Sequence, residues 1–273
     1  MEWNTTEPQK AQIDGVMLEY ACYGPPPGEA PTLMLLHEGL GCVALWRGFP
    51  DQIQQATGYG VFAYSRQGYG GSDPCPLPRP IDFMEREACD VVPKVLDAIG
   101  FQRGVLFGHS DGGTIAGLYL GNHQDHRVRG LIMLAPHFFC EPQNIVAIRD
   151  IRQKFEAEGL RDRLARYHGT NVDCAFYGWA NSWMDPRFEN WDVSDSIGYV
   201  RVPILYIQGR DDPYGSPAQA DVVVAESYAP VDVHLLEDCK HSPQFEQTEQ
   251  TIRLVSDYLA RLDRFEAGKA AVA

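Results

Sequence analysis

Short apolar runs alternate with amphipathic segments along most of this 273-residue chain. Runs at 32–36, 60–65, 128–135, 203–208 and 231–236 read as strands, and the continuous apolar run at 32–36 as a buried one. Another run, from Val105, ends in Gly108-His109-Ser110-Asp111-Gly112 and passes into a helical stretch through Ile115, Ala116 and Leu118. Residues 10–24 read as a hairpin around Asp14-Gly15. Helices are expected at 44–56, 82–99, 217–228 and 243–263; the second starts at Asp82, stops at Gly100 and is kinked by Pro93. Between 137 and 199 the alternation stops, leaving two amphipathic segments (144–158 and 160–168) and an aromatic cluster. The pattern predicts an α/β fold: a mostly parallel central sheet, helices on both faces, and one insertion of about 60 residues after the sixth strand. Insertions that long inside a compact domain are usually functional.

The strand–Gly-x-Ser-x-Gly–helix passage is where chemistry enters. Such a turn presents a serine hydroxyl at the carboxyl end of a sheet, and its glycines allow strand and helix to approach closely. A lone Gly-x-Ser-x-Gly is common, so the serine needs partners: a base to take its proton and a carboxylate to orient that base. In this architecture they follow in the order Ser, Asp or Glu, His, each in a loop after a strand. After the 203–208 strand comes Gly209-Arg210-Asp211-Asp212-Pro213, and after the 231–236 strand comes Glu237-Asp238-Cys239-Lys240-His241-Ser242.

Composition narrows the function classes. A formal net charge of −14 argues against nucleic acid and anionic membranes as partners. Seven scattered cysteines without a Cys-x-x-Cys pair suggest reduced thiols in a cytoplasmic protein. Neither a leader at residues 1–7 nor a membrane-length apolar run is expected. No His-Glu-x-x-His or clustered Cys/His spacing suggests a metal, and no Gly-x-Gly-x-x-Gly follows a strand, so neither metal nor cofactor is expected. The expected partner is a small-molecule substrate; formation of a homo-oligomer is compatible with the sequence.

Taken together, the His37-to-Gly41 loop, the Ser65-to-Ser72 turn, Gly108-to-Gly113, Gly209-to-Pro213 and Lys240-His241-Ser242 resemble the α/β-hydrolase superfamily over nearly the whole chain. Its small capped esterases and carbon–carbon-bond hydrolases are the most similar members. The resemblance implies an α/β-hydrolase core at 1–136 and 200–273 and a helical cap, or lid, at 137–199. It implies Ser110 as nucleophile, His241 as base and Asp212 as the acid, with Asp211 as the alternative. The oxyanion donors would be the N–H of Asp111 and that of Gly39, or else of Leu40. The chain departs from the pattern at Glu38, where glycine is commoner. Its carboxylate is expected to point away from the oxyanion, paired with Arg47 or Arg66, or else to shape the pocket or direct a water. The Arg66-to-Ser72 turn is assigned no chemistry.

Of the other histidines, His37 is expected to bond backbone, His109 to pack behind the serine, and His137 to line the pocket; His123, His126, His168 and His234 carry no motif. Phe139, Trp179 and Trp183 from the insertion and Trp46 from the core are candidate substrate contacts, favouring a compact acyl group. Arg149 and Arg152, on one helix face, could meet a substrate carboxylate but fit a solvated face better. The expected activity is that of a serine hydrolase cleaving a small carboxylic ester, thioester or lactone. Carbon–carbon cleavage of a vinylogous diketone on the same residues is the alternative. Haloalkane and epoxide hydrolases need aspartate where Ser110 stands, and a non-catalytic relative would usually have lost one of the three residues.

Overall fold

The computed structural model describes residues 1–3 and 7–270, so the stretch considered as a leader lies partly outside the described residues. The hairpin is formed by β1 (Gln9–Ile13) and β2 (Val16–Tyr23), joined through Asp14 and Gly15, both at positive φ. Then follow β3 (Thr32–Leu36), α1 (Phe49–Thr57), β4 (Gly60–Tyr64), α2 (Phe83–Arg86), α3 (Val92–Ala98), β5 (Gly104–His109), α4 (Asp111–Asn122) and β6 (Val128–Leu134). Between β6 and the seventh strand lie α5 (Pro142–Ala157), α6 (Leu160–His168) and α7 (Val172–Trp183). The chain closes with β7 (Ile204–Gly209), α8 (Ala218–Glu226), β8 (Val231–Leu236), α9 (Pro243–Glu246) and α10 (Thr248–Ala270).

The eight strands form one sheet in the order β1-β2-β4-β3-β5-β6-β7-β8. Only β2 runs antiparallel to its neighbours; from β4 to β8 every pairing is parallel. Alternate strand residues feed two cores. Met34, Phe62, Leu106, Met133 and Tyr206 face the layer holding α3, α4 and α8. Leu33, Val61, Phe107, Ile132 and Leu205 face α1 and α10. Burial on both faces explains why these strands read as continuous apolar runs.

The chain breaks several expected helices locally. The first is split: a 3-10 turn at Val43–Trp46 ends at Arg47, at φ 53, before α1 begins with Pro50 in its first turn. The 82–99 helix is interrupted by a π segment, Glu87–Val91, which ends two residues before Pro93 in the first turn of α3. Proline lacks the N–H that would continue the helical ladder and crowds the preceding turn. The last helix is divided at Gln247 into α9 and α10. The insertion gains a third helix, α7, where the sequence showed only an aromatic cluster. No helix among the described residues is long and apolar enough to cross a membrane.

Candidate active site

At the end of β5, Ser110 sits at φ 52 and ψ −122, strained for a residue with a side chain. The chain holds it there through its flanking glycines. A Cβ on Gly108 would lie 2.1 Å from the carbonyl oxygen of Gly112, and one on Gly112 would lie 2.0 Å from that of Leu36. The Ser110 N–H donates to the Leu134 carbonyl at 2.8 Å, and its own carbonyl accepts from the N–H groups of Gly113 and Thr114. The serine is thereby set at the N-terminus of α4, whose first N–H groups favour negative charge.

Asp212 follows β7 and His241 follows β8, and His241 lines the same cavity as Ser110. Asp212 is buried, whereas Asp211 is exposed, so the neighbouring carboxylate is the one that reaches the histidine. His241 Nδ1 lies 2.9 Å and 2.8 Å from the two oxygens of Asp212. Because a carboxylate can only accept, Nδ1 carries the hydrogen, and Nε2 is left as the acceptor available to a proton. The Tyr214 N–H and Gln208 Nε2 also donate to Asp212. Burial pushes this carboxyl up, but the charge and hydrogen bond of His241 and the Tyr214 N–H outweigh it and hold it below its ordinary value.

A cavity of about 230 Å³ brings these groups together, with walls that include Glu38, Gly39, Leu40, Ser110, Asp111 and His241. It opens at the carboxyl ends of the strands, where ligands bind in parallel sheets. A second depression of about 280 Å³ lies near the starts of β6 and β7 and contains none of the candidate groups. Gly39, Leu40 and Asp111 stand together beside Ser110, and no carbonyl among the described residues takes up their N–H groups.

Three histidines brace this arrangement. His37 Nδ1 donates to the Glu38 carbonyl at 2.7 Å, and its Nε2 accepts from the Arg66 N–H at 3.1 Å. His109 Nε2 donates to the carbonyl of His241 at 2.7 Å while Gln244 Nε2 donates to its Nδ1, so it positions the His241 loop besides packing behind the serine. His168, which carried no motif, is buried at the end of α6. Its Nε2 donates to the Leu40 carbonyl and its Nδ1 accepts from the Gly70 N–H, each at 3.0 Å. Arg66, also assigned no chemistry, donates to the Glu38 carbonyl at 3.0 Å and lies 3.8 Å from Asp111. Nothing in the spacing of His168 or Arg66 marks these long-range contacts.

The expected pocket residues divide. Trp179, Trp183, His137 and Glu38 line the cavity, joined by Asn144, Ile148 and Tyr214, which sequence reasoning missed. Trp46 does not. It is 2% exposed and packs on Phe49, Phe107 and His109, because the 3-10 turn drives it into the core between sheet and α1. Phe139 does not either: its backbone is held by a bridge to Asp192 and by Gln219 of α8, away from the serine. The Glu38 carboxylate finds neither proposed arginine. Arg66 bonds the backbone carbonyl, and Arg47 lies over Phe245. Its Oε2 stands 3.7 Å from His109 Nδ1, too far for a hydrogen bond. Arg152 pairs with Glu156 on the outer face of α5, and Arg149 is exposed. Trp179 rests on the loop before α1: a Cβ on Gly39 would lie 2.1 Å from its Nε1.

The cavity walls are polar in an unbalanced way. Both carboxylate oxygens of Asp111, both ring nitrogens of His137 and Trp183 Nε1 are buried without a hydrogen-bond partner among the described residues. Burial raises the Asp111 carboxyl, with Arg66 opposing. Burial, followed by the charge of His241, lowers His137 to about 4. An unfolded histidine binds its proton near pH 6.5, so this site is fully stabilising above pH 6.5 and loses that contribution as pH falls towards 4. Between pH 7 and pH 4 the protein is therefore expected to lose about 3 kcal/mol more than a His137→Phe variant, by urea titration at both pH values. Equal losses would show that His137 protonates freely in the fold. His37 and His168, also lowered by burial, contribute equally to both proteins.

Comparison with known proteins agrees with this fold. Residues 31–195 match the alpha/beta hydrolase fold family. Human serine hydrolase BPHL is 25% identical over 263 residues, covering 92% of this chain and 85% of that protein. The 2-hydroxy-6-oxo-6-phenylhexa-2,4-dienoate hydrolase of Comamonas testosteroni is 24% identical over 258 residues, covering 85% of this chain and 88% of the other. The crystal structure of the enol-lactonase from Burkholderia xenovorans LB400 superposes with a TM-score of 0.70 at 20% identity, covering 92% of this chain and all of that one. With its sheet order, its strained serine between β5 and α4 and a family match across more than half its length, this chain belongs to the alpha/beta hydrolase fold family.

Proposed function

We propose that the protein is a serine hydrolase that cleaves a small ester, thioester or lactone without a free carboxylate, through an acyl-enzyme on Ser110. The observation that carries the reading is the double contact of Asp212 with His241 Nδ1 at the mouth of the Ser110 cavity. His241 Nε2 takes the Ser110 proton as Oγ attacks the substrate carbonyl. The developing oxyanion is met by the N–H of Asp111 and that of Gly39 or Leu40, with the positive end of α4 behind it. The imidazolium returns its proton to the leaving group. A water deprotonated by the same nitrogen then releases the acid and restores the serine. The α5–α7 segment acts as a lid, its Trp179 and Trp183 shaping the acyl pocket from above.

Charge favours this reading over carbon–carbon cleavage. The diketone named for the Comamonas relative is itself a carboxylate. Here the described residues lining the cavity include Glu38 and Asp111 but neither lysine nor arginine. A buried anion without a cation is costly in such a site. A panel of p-nitrophenyl butyrate, its analogue ending in a free carboxylate, and a ring-cleavage diketone tests the proposal. The neutral ester is expected to exceed the carboxylate ester at least tenfold in kcat/KM. Faster turnover of the diketone would instead favour carbon–carbon cleavage.

A further inference from the structure

We propose that Cys75 and Cys174 form a reversible thiol–disulfide site that ties the proline-rich loop after β4 to α7 when the protein meets a peroxide. The two sulfurs lie 3.0 Å apart although 99 positions separate them in the chain. A disulfide needs about 2 Å, a closure of roughly 1 Å that small side-chain rotations supply. The pair is held in place from outside. Arg79 Nε donates to Cys75 Sγ at 3.2 Å, and the same guanidinium is fixed by the Tyr69 hydroxyl at 2.6 Å and the Gln67 carbonyl at 3.2 Å. Cys174 Sγ also donates to the Cys75 carbonyl at 3.4 Å.

Surroundings distinguish this pair from the other cysteines. Cys22, Cys42 and Cys239 are buried, out of reach of solvent oxidants. Cys89 and Cys140 are half-buried, but burial and adjacent carboxylates (Asp90 and Glu85, Glu189 and Glu141) raise both thiols. At the pair, the contact with Cys75 and the Arg79 charge lower Cys174 to about 6, against burial, while Cys75 moves up. The Arg79 guanidinium beside the pair thus favours ionisation of Cys174, whose thiol hydrogen otherwise rests on the Cys75 carbonyl. Cys174, the attacking sulfur, is half-buried, and its partner Cys75 borders a surface cavity of about 250 Å³.

Hydrogen peroxide is the simplest oxidant for the step. The Cys174 thiolate attacks one peroxide oxygen, the O–O bond breaks, and the departing hydroxide takes up a proton to become water. Cys75 then attacks the sulfenic sulfur of Cys174, forming the S–S bond and expelling a second water with its own proton. Two thiols are oxidised by two electrons and one peroxide is reduced to two waters. A dithiol reverses the bond by exchange.

Peptide mapping of the peroxide-treated wild-type protein, with remaining thiols alkylated in acid, is expected to find the Cys75–Cys174 bridge ahead of any other. Dithiothreitol is expected to remove it, and the bridge is expected to raise Tm by on the order of 10 °C through its long closed loop. In Cys75→Ser, which cannot resolve the intermediate, dimedone is expected to label Cys174. A first bridge between other cysteines, or complete alkylation of both thiols after peroxide has oxidised other sites, would overturn the proposal.

Discussion

Alanine in place of Ser110 is expected to reduce kcat for a short p-nitrophenyl ester by at least about 10⁴-fold, leaving only what binding and the oxyanion donors contribute. The loss should be chemical and not structural. Ser110 is nearly buried, its strained backbone is held by the glycines before and after it, and its anchoring bonds to Leu134, Gly113 and Thr114 are made by backbone atoms that alanine retains. Tm is therefore expected to stay close to that of the wild type. A fluorophosphonate probe gives a second readout: intact-mass and peptide analysis should place one adduct on Ser110 and none on the variant. Turnover that survives the substitution, or an adduct elsewhere, would remove the serine from the mechanism.

Asp212→Asn comes next in size, with an expected loss in kcat approaching 10⁴-fold. Both Asp212 oxygens face donors: His241 Nδ1 reaches each of them, the Tyr214 N–H reaches one and Gln208 the other. An asparagine must turn an NH2 group towards one of these donors. If it turns towards His241, the ring is driven to the other tautomer, with hydrogen on the nitrogen that must accept the serine proton. Asp211→Asn, one residue away but exposed and without contact to His241, is expected to change kcat by less than about threefold. Comparable losses from both variants would show that a broader field, and not the tautomer, governs the site.

The sequence was most informative where burial is two-sided or the backbone is constrained. β3 to β7 were visible because a strand covered on both faces has no polar period to confuse the reading. Ser110 and Asp212 each follow such a strand, whereas His241 follows β8, a half-buried strand at the sheet edge. Legibility failed where contacts come from far along the chain. Trp46 and Trp179 both follow apolar or aromatic stretches, yet one is sealed between the sheet and α1 and the other lines the cavity of the serine. That difference is set by Arg47 at positive φ and by the docking of α7, neither of which a local pattern records. His168 stayed unmarked for the same reason. Its partners, Leu40 and Gly70, lie about 100 or more positions earlier in the chain. Tyr214 was missed because a turn residue just after Asp212 has no apolar period to announce it.

The seat of Trp179 on Gly39 has a consequence for how such a protein can change. The indole that bounds the acyl pocket rests on a residue proposed to stabilise the oxyanion, so breadth of substrate and speed of chemistry share one mechanical joint. Shaving Trp179 down to admit larger acyl groups would also release the loop beneath it, and a laboratory-evolved generalist would begin as a slow one. Recovery would have to come from His37, Arg66 or His168, the side chains that hold the Glu38 and Leu40 carbonyls of the same loop. Selection for new substrates should accordingly collect its compensating changes there, well before it reaches the serine.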